Sequence, residues 1–250
     1  MNTRLNRFLE RNQFLHALAR IVVFFRDKYR LMMWSVNRPS AIKRYLKSHQ
    51  VQKLQLGAGP NILEGWLNTD IYPSAPGVVY LNAKRPFPFD DKTFGYVFSE
   101  HQIEHLPYIE GLSMLRECRR VLKPGGRIRI ATPDLEILIG LYTPQKSDLQ
   151  QRYINWIVDK FLPEIGIYSE SFVINNAFLN WGHQFIYDRA TLQIALEKAG
   201  FVNITPHKLG ESDDKVFRGI ESHGKVAGDE DMNQFETMVL EAKRPPGRFG

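Results

Sequence analysis

Three kinds of residue in this sequence are spaced as chemistry would need them. The first is Leu54-Gln55-Leu56-Gly57-Ala58-Gly59-Pro60, an apolar run entering a Gly-x-Gly turn. With no side chains at Gly57 and Gly59, the main chain there can lie close to a bound molecule. A plain tight turn explains the same residues, and the third glycine of a dinucleotide fingerprint is missing. The second is Asp70, at the end of the next apolar run. An acid in this place accepts hydrogen bonds from ribose hydroxyls in doubly wound sheets. It stands 11 residues after Gly59, against roughly 20 in the dinucleotide fingerprint. A surface acid at a strand end is the plainer reading. The third kind is histidine. His101 and His183 are candidate proton acceptors, because imidazole titrates near neutral pH. His105 is four residues from His101 and fits packing better. Asp134 follows a strand and either touches substrate or caps the next helix. Each of these histidines also reads as an ordinary hydrogen-bonded one. A zinc site from His101, His105 and His183 matches no known ligand spacing, so no metal is expected.

Strands and helices must position these groups. Val51–Leu56, Trp66–Ile71, Gly77–Leu81, Phe94–Phe98 and Arg127–Ala131 read as five strands. Phe201–His207 and Phe235–Ala242 read as two more. Helices are expected at 109–122, 148–162 and, capped by Asp188, up to Lys198. Between the first two strands only about one helical turn fits, near Ile62–Gly65. Alternation of this kind predicts an α/β fold with a doubly wound, mostly parallel sheet of seven strands. Its extent is 51–245, with an insertion at about 135–187 that caps the substrate.

Residues 1–50 differ from the rest. They hold eleven Lys/Arg against Glu10 and Asp27, a balance of +9 in a chain of net charge +6. Phe8, Leu15, Val22, Tyr29 and Val36 recur every seven residues, with Leu18, Phe25 and Met32 between them. That predicts a basic amphipathic helix, broken at Arg38-Pro39-Ser40 and followed by a short helix from Ala41 to His49. Such a helix can meet an anionic membrane through residues 1–40, pair with another helix, or pack on its own domain. No specific nucleic-acid partner is expected. The longest apolar run, Ile21–Phe25, is closed by Arg20 and Arg26, so neither a membrane span nor a secretory signal is expected. Cys118, the single cysteine, excludes an internal disulfide framework and is read as structural. A cytoplasmic location follows as the expectation, with peripheral contact at the inner membrane face.

Two longer stretches narrow the reading. Arg85–Pro107 reads RPFPFDDKTFGYVFSEHQIEHLP, and Arg116–Asp134 reads RECRRVLKPGGRIRIATPD. Together with the Gly-x-Gly turn and Asp70, they resemble class I S-adenosylmethionine-dependent methyltransferases, in the same order along the chain. GWLNTDI, SEHQIEHL, ATPDLE, GHQFIYD and GESDDKVFRGIESHG further resemble a bacterial subgroup of type 11-like methyltransferases found near surface-polysaccharide genes. The resemblance covers 51–244. It implies a Rossmann-like sheet and S-adenosyl-L-methionine as cofactor. Gly57, Ala58 and Gly59 would approach its methionine part, and Asp70 its ribose. Ile71 would lie against adenine, Asn82 near the adenine amino group, and Ser99 and Glu100 beside the sulfonium. At Asn82 the subgroup more often carries Asp, and Gly95 replaces the Asp of the family's Phe-Asp. The implied activity is methyl transfer to a hydroxyl of a small molecule or surface glycan, with His183 or His101 as base. A non-catalytic cofactor-binding protein is the alternative from another class. An NAD-type oxidoreductase is disfavoured by the absent third glycine and by Lys123-Pro124-Gly125-Gly126.

Overall fold

Short runs of apolar and β-branched residues between glycine and proline turns form a parallel sheet at the centre of this chain. The computed structural model describes residues 13–247. Its strands are β1 (Lys53–Leu56), β2 (Leu67–Asp70), β3 (Val79–Tyr80), β4 (Phe94–Glu100), β5 (Leu122–Pro133), β6 (Val202–His207) and β7 (Thr237–Lys243). They lie in the order β3-β2-β1-β4-β5-β7-β6. β1 to β5 are parallel, and β7 runs antiparallel between β5 and β6. The order reverses between β1 and β4, and in open α/β sheets ligands bind beyond the strand ends at that point. β1 ends there at Leu56, in register with Ser99 of β4, which ends one residue later at Glu100. Leu54, Leu56, Val97, Phe98, Ile128 and Ile130 are fully buried, as strands covered on both faces require.

The helices are α1 (Gln13–Ser48), α2 (Tyr108–Val121), α3 (Leu135–Gly140), α4 (Asp148–Phe161), α5 (Glu170–Leu179), α6 (Arg189–Lys198), α7 (His223–Ala227) and α8 (Glu230–Glu236). Ser147 begins α4 with a capping box, and Asp188 caps α6 through the Thr191 N–H at 2.6 Å. The run after Gly59 forms turns rather than the expected helical turn at Ile62–Gly65. Strand β4 is longer than expected and includes Ser99 and Glu100. The run Lys123–Gly126 belongs to β5 instead of ending before it.

The expected break at Arg38-Pro39-Ser40 does not occur: α1 is one 36-residue helix with Pro39 inside it. Proline forfeits one N–H bond there. Packing just beyond offsets the loss. Ile42 and Tyr45 are buried, and the Tyr45 hydroxyl accepts from the Lys53 N–H at 2.8 Å and donates to the Lys53 carbonyl at 2.9 Å. Trp34 stacks on Tyr80 with ring centroids 6.2 Å apart. Farther toward the N-terminus, Val22, Phe25, Tyr29, Met32 and Val36 are exposed, Phe25 at 66%. Phe8 and the cations Arg4, Arg7 and Arg11 lie outside the described residues, as do the side chains of Leu15 and Leu18.

One charged group lies inside the sheet's packing. Arg129, on β5, is fully buried. Its guanidinium pairs with Glu241 at 2.6 Å and with Glu221, and donates to the Glu211 carbonyl at 2.9 Å. The neighbouring strand and the 211–221 loop are thereby tied to β5. Arg129→Met should destabilise the protein by about 3–5 kcal/mol, because it leaves two buried carboxylates without a counter-charge. A urea-unfolding midpoint equal to the wild type's would show that the pair contributes nothing.

Candidate active site

The loop after β1 is shaped by its glycines. Gly57 and Gly59 have φ of +65° and +50°, which side chains rarely adopt. At Gly59 an added Cβ would meet nothing within 4 Å, so the main chain is bare and open on that side. Asp70 braces the turn: one carboxylate oxygen accepts the Gly59 N–H at 2.9 Å, and the other accepts the Tyr72 N–H at 2.7 Å. Ala58 is buried and bonded to the Thr69 carbonyl at 2.9 Å. Ile71, 39% exposed, supplies an apolar surface beside Asp70. Asn82 stands after β3, where its side chain accepts the Lys84 N–H at 3.0 Å. On the other side, Gln102 lies over Gly57: a Cβ there would fall 2.4 Å from its Cγ. Ser99 is buried beneath, with its hydroxyl donating to the Gln102 side-chain Oε1 at 3.4 Å.

Glu100 does not face an open cleft. Its carboxylate accepts the Ser222 N–H at 3.0 Å, the His223 N–H at 2.9 Å and the Asn61 amide at 3.3 Å. Burial raises its pKa, opposed by those donors. One side chain thus joins the glycine loop, the end of β4 and the start of α7.

Beyond β4 and β5 lies a cavity of about 290 Å³. His101, Glu104, His105, His183, His223 and Glu236 bring its ionisable groups. Trp156, Phe161 and Trp181 form an aromatic wall, with Phe161 and Trp181 edge to face at 5.1 Å. The two expected histidines are therefore brought together. Asp134 is not among the lining residues. It is buried and caps α3 through the Glu136 N–H at 3.0 Å, and burial raises its pKa.

Hydrogen bonds fix the histidine rings. His183 Nδ1 donates to the Ala177 carbonyl at 2.7 Å, leaving Nε2 with a lone pair. Burial lowers its pKa. His101 sits at φ +45°, with Nε2 3.1 Å from the Thr237 hydroxyl and Nδ1 3.4 Å from Glu104. Burial opposes charge on His101, yet Glu104, backed by Glu236 and Glu100, raises its pKa. Burial likewise opposes charge on Glu104, and His101 carries its pKa below the usual range. His223 stacks on His101 at 3.7 Å, and burial together with His101 pushes its pKa down to about 4. Asn176 is buried at the cavity wall with its amide nitrogen unpartnered. Gln102, Asn176, His223 and Glu236 were not singled out in the sequence. His223 lies in the quoted GIESHG run, which offered no spacing to mark it.

Residues 68–130 match the family model described as a methyltransferase domain. That match covers about a quarter of the chain. No curated protein matches. Solved structures with a similar course include an S-adenosylmethionine-dependent methyltransferase from Mesorhizobium loti, 15% identical with a TM-score of 0.48, covering 83% of this chain and 97% of that one. A SAM-dependent methyltransferase from Archaeoglobus fulgidus is 17% identical with a TM-score of 0.44, covering 89% and 99%. Phosphoethanolamine N-methyltransferase 2 of Haemonchus contortus, in complex with S-adenosyl-L-methionine, is 15% identical with a TM-score of 0.40, covering 84% and 52%.

S-adenosylmethionine is the cofactor of such a domain, and the residues present fit it. The Asp70 carboxylate and the exposed Ile71 suit its nucleoside half, and the open face of Gly59 its methionine half. Gly57, free of a side chain but covered by Gln102, suits the methionine half once Gln102 swings aside.

Proposed function

We propose that the chain transfers a methyl group from S-adenosylmethionine to a hydroxyl of a small molecule or surface glycan seated in the histidine-lined cavity. The single observation that carries this reading is that cavity, placed past β4 and β5 and lined by His101, the residue before the Gln102 that lies over Gly57. The cofactor, when bound, supplies a methyl group on a cationic sulfur with a good leaving group. The chain's main task is alignment of the acceptor oxygen within roughly 3–3.5 Å. Asp70 and the glycine loop hold the donor side. Trp156, Phe161 and Trp181 suit the C–H face of a sugar ring, and the free amide of Asn176 suits a hydroxyl. The hydroxyl must lose its proton, and His183 and His101 are the groups positioned to bring that about. Incubating the protein with labelled S-adenosylmethionine and a panel of sugars, nucleotide sugars and lipid-linked glycans tests the reading. Label transfer to an amine or carbon acceptor alone would overturn the hydroxyl assignment.

The same reading places the enzyme at an anionic lipid surface through α1. Among the described residues no helix is long and apolar enough to cross a membrane. The exposed Val22, Phe25, Tyr29 and Met32 instead suit a helix lying in the interface. Arg20, Arg26, Lys28 and Arg30 surround them, each worth about 1 kcal/mol near anionic head groups. The full chain should co-sediment with phosphatidylglycerol vesicles at low salt and be released at high salt, and Phe25→Asp should weaken binding. Concentration-dependent dimerisation with no vesicle binding would assign this face to a second copy instead.

A further inference from the structure

We propose that Glu104, His105 and His183 bind a divalent transition-metal cation of the zinc or manganese kind, with a coordination position open to the cavity for the acceptor's oxygen. The inference rests on the proposed hydroxyl chemistry only for what fills that open position.

One ligand atom from each of the three residues lies within 4.8 Å of the other two. The backbone brings them together. Glu104 and His105 share a 3-10 turn, Ile103–His105. The Glu104 carbonyl accepts both the Gln184 N–H at 2.7 Å and the Phe185 N–H at 3.1 Å, pinning the loop that carries His183 against that turn. The two imidazoles meet at 5.0 Å and 73°, so their lone pairs are not parallel.

The outer contacts are those of a ligand set. Metal-bound histidine usually donates its second nitrogen to a carbonyl or carboxylate. His183 does so to Ala177, which leaves Nε2 free to coordinate. One Glu104 oxygen accepts the Thr132 hydroxyl at 3.0 Å. The other has no hydrogen-bond partner, although Glu104 is fully buried. A buried carboxylate oxygen left so is costly and calls for a cation. Its nearest charged neighbour is His101 Nδ1 at 3.4 Å. That is long for a charge-assisted hydrogen bond, about 2.7–2.9 Å.

A second trio, His101, His223 and Glu236, also brings three donor atoms together. Its histidines stack face to face at 15°, so their in-plane lone pairs run side by side instead of converging. Glu236 is engaged by the Tyr153 hydroxyl, and His101 Nε2 by Thr237. The first trio is therefore the site. Two imidazoles and one carboxylate favour zinc-like ions over calcium or magnesium. An oxygen on the open position would be acidified by the ion, and His183 would then act as a ligand.

The test uses the full chain, stripped with a chelator and titrated calorimetrically with zinc and, separately, manganese. One ion per chain is expected for at least one metal. His183→Gln, His105→Gln and Glu104→Gln should each weaken binding by about tenfold or more, and Thr132→Val by about tenfold. Circular dichroism checks folding. If Glu104→Gln does not fold, Thr132→Val and His183→Gln decide. No stoichiometric binding of either metal, or wild-type affinity in the folded variants, overturns the site. S-adenosylmethionine binding is measured on the same samples. Its presence without metal binding sinks the metal site alone, and its absence alongside metal binding sinks the methyltransferase reading alone.

Discussion

Turnover should fall by about 10²–10⁴-fold in His183→Gln, whether His183 takes the acceptor's proton itself or holds the ion that acidifies it. Affinity for S-adenosylmethionine should stay near the wild-type value, because the His183 ring contacts Ala177, His105 and Trp181, none of them in the glycine loop. The half-buried ring has its Nδ1 occupied by Ala177, so only Nε2 faces the reaction. Gln keeps a polar group of similar reach but lacks the basic nitrogen. His101→Gln should also slow the reaction, since the His101 ring lines the cavity with Nδ1 3.4 Å from Glu104. Release of S-adenosylhomocysteine, followed with an acceptor found by screening, measures both. Full turnover in both variants would remove the histidines from the chemistry.

The second large effect falls on cofactor affinity. Asp70→Ala removes a carboxylate placed for the ribose and also the brace on the Gly59 and Tyr72 N–H groups. One or two charge-assisted hydrogen bonds are lost, about 1.5–3 kcal/mol each. Calorimetry should show binding weakened by roughly tenfold to a hundredfold or more. Gly57→Val should reduce binding further. Its side chain meets Gln102 on the face meant for the methionine part, and φ of +65° strains any branched residue. Wild-type affinity in both variants would place the cofactor elsewhere.

The sheet was legible because its grammar is local. Gly57-Ala58-Gly59 marks the end of β1, whereas Lys123-Pro124-Gly125-Gly126, expected before β5, lies inside it. The α1 break was misread because Pro39 is a local signal that long-range packing overrides: Ile42 and Tyr45 hold the following turns against the domain. The glycine loop showed in the sequence because neighbouring residues build it. The histidine-lined cavity did not, because it is assembled from distant segments. His101 and Glu104 follow β4, His183 precedes α6, and His223 and Glu236 arrive with α7 and α8. Sequence spacing carries no trace of such a meeting. Glu100 shows the same limit. Its place at the end of β4 suggested a role beside the sulfonium, whereas in the fold its oxygens are occupied by Ser222, His223 and Asn61.

That clasp at Glu100 has a consequence for biosynthesis. Chains emerge from the ribosome N-terminal end first. By the time β4 is made, the glycine loop, Asp70 and Glu100 all exist, yet Ser222 and His223 are more than a hundred residues from being translated. Glu100 must wait, charged and unclasped, and the histidine cavity has no roof until α7 arrives. Strand β7 is later still, and it inserts between β5 and β6. A nascent chain therefore holds the glycine loop without the completed cavity. A chain cut anywhere before about residue 222 lacks His223, Val226, Ala227 and Glu236 of the cavity lining.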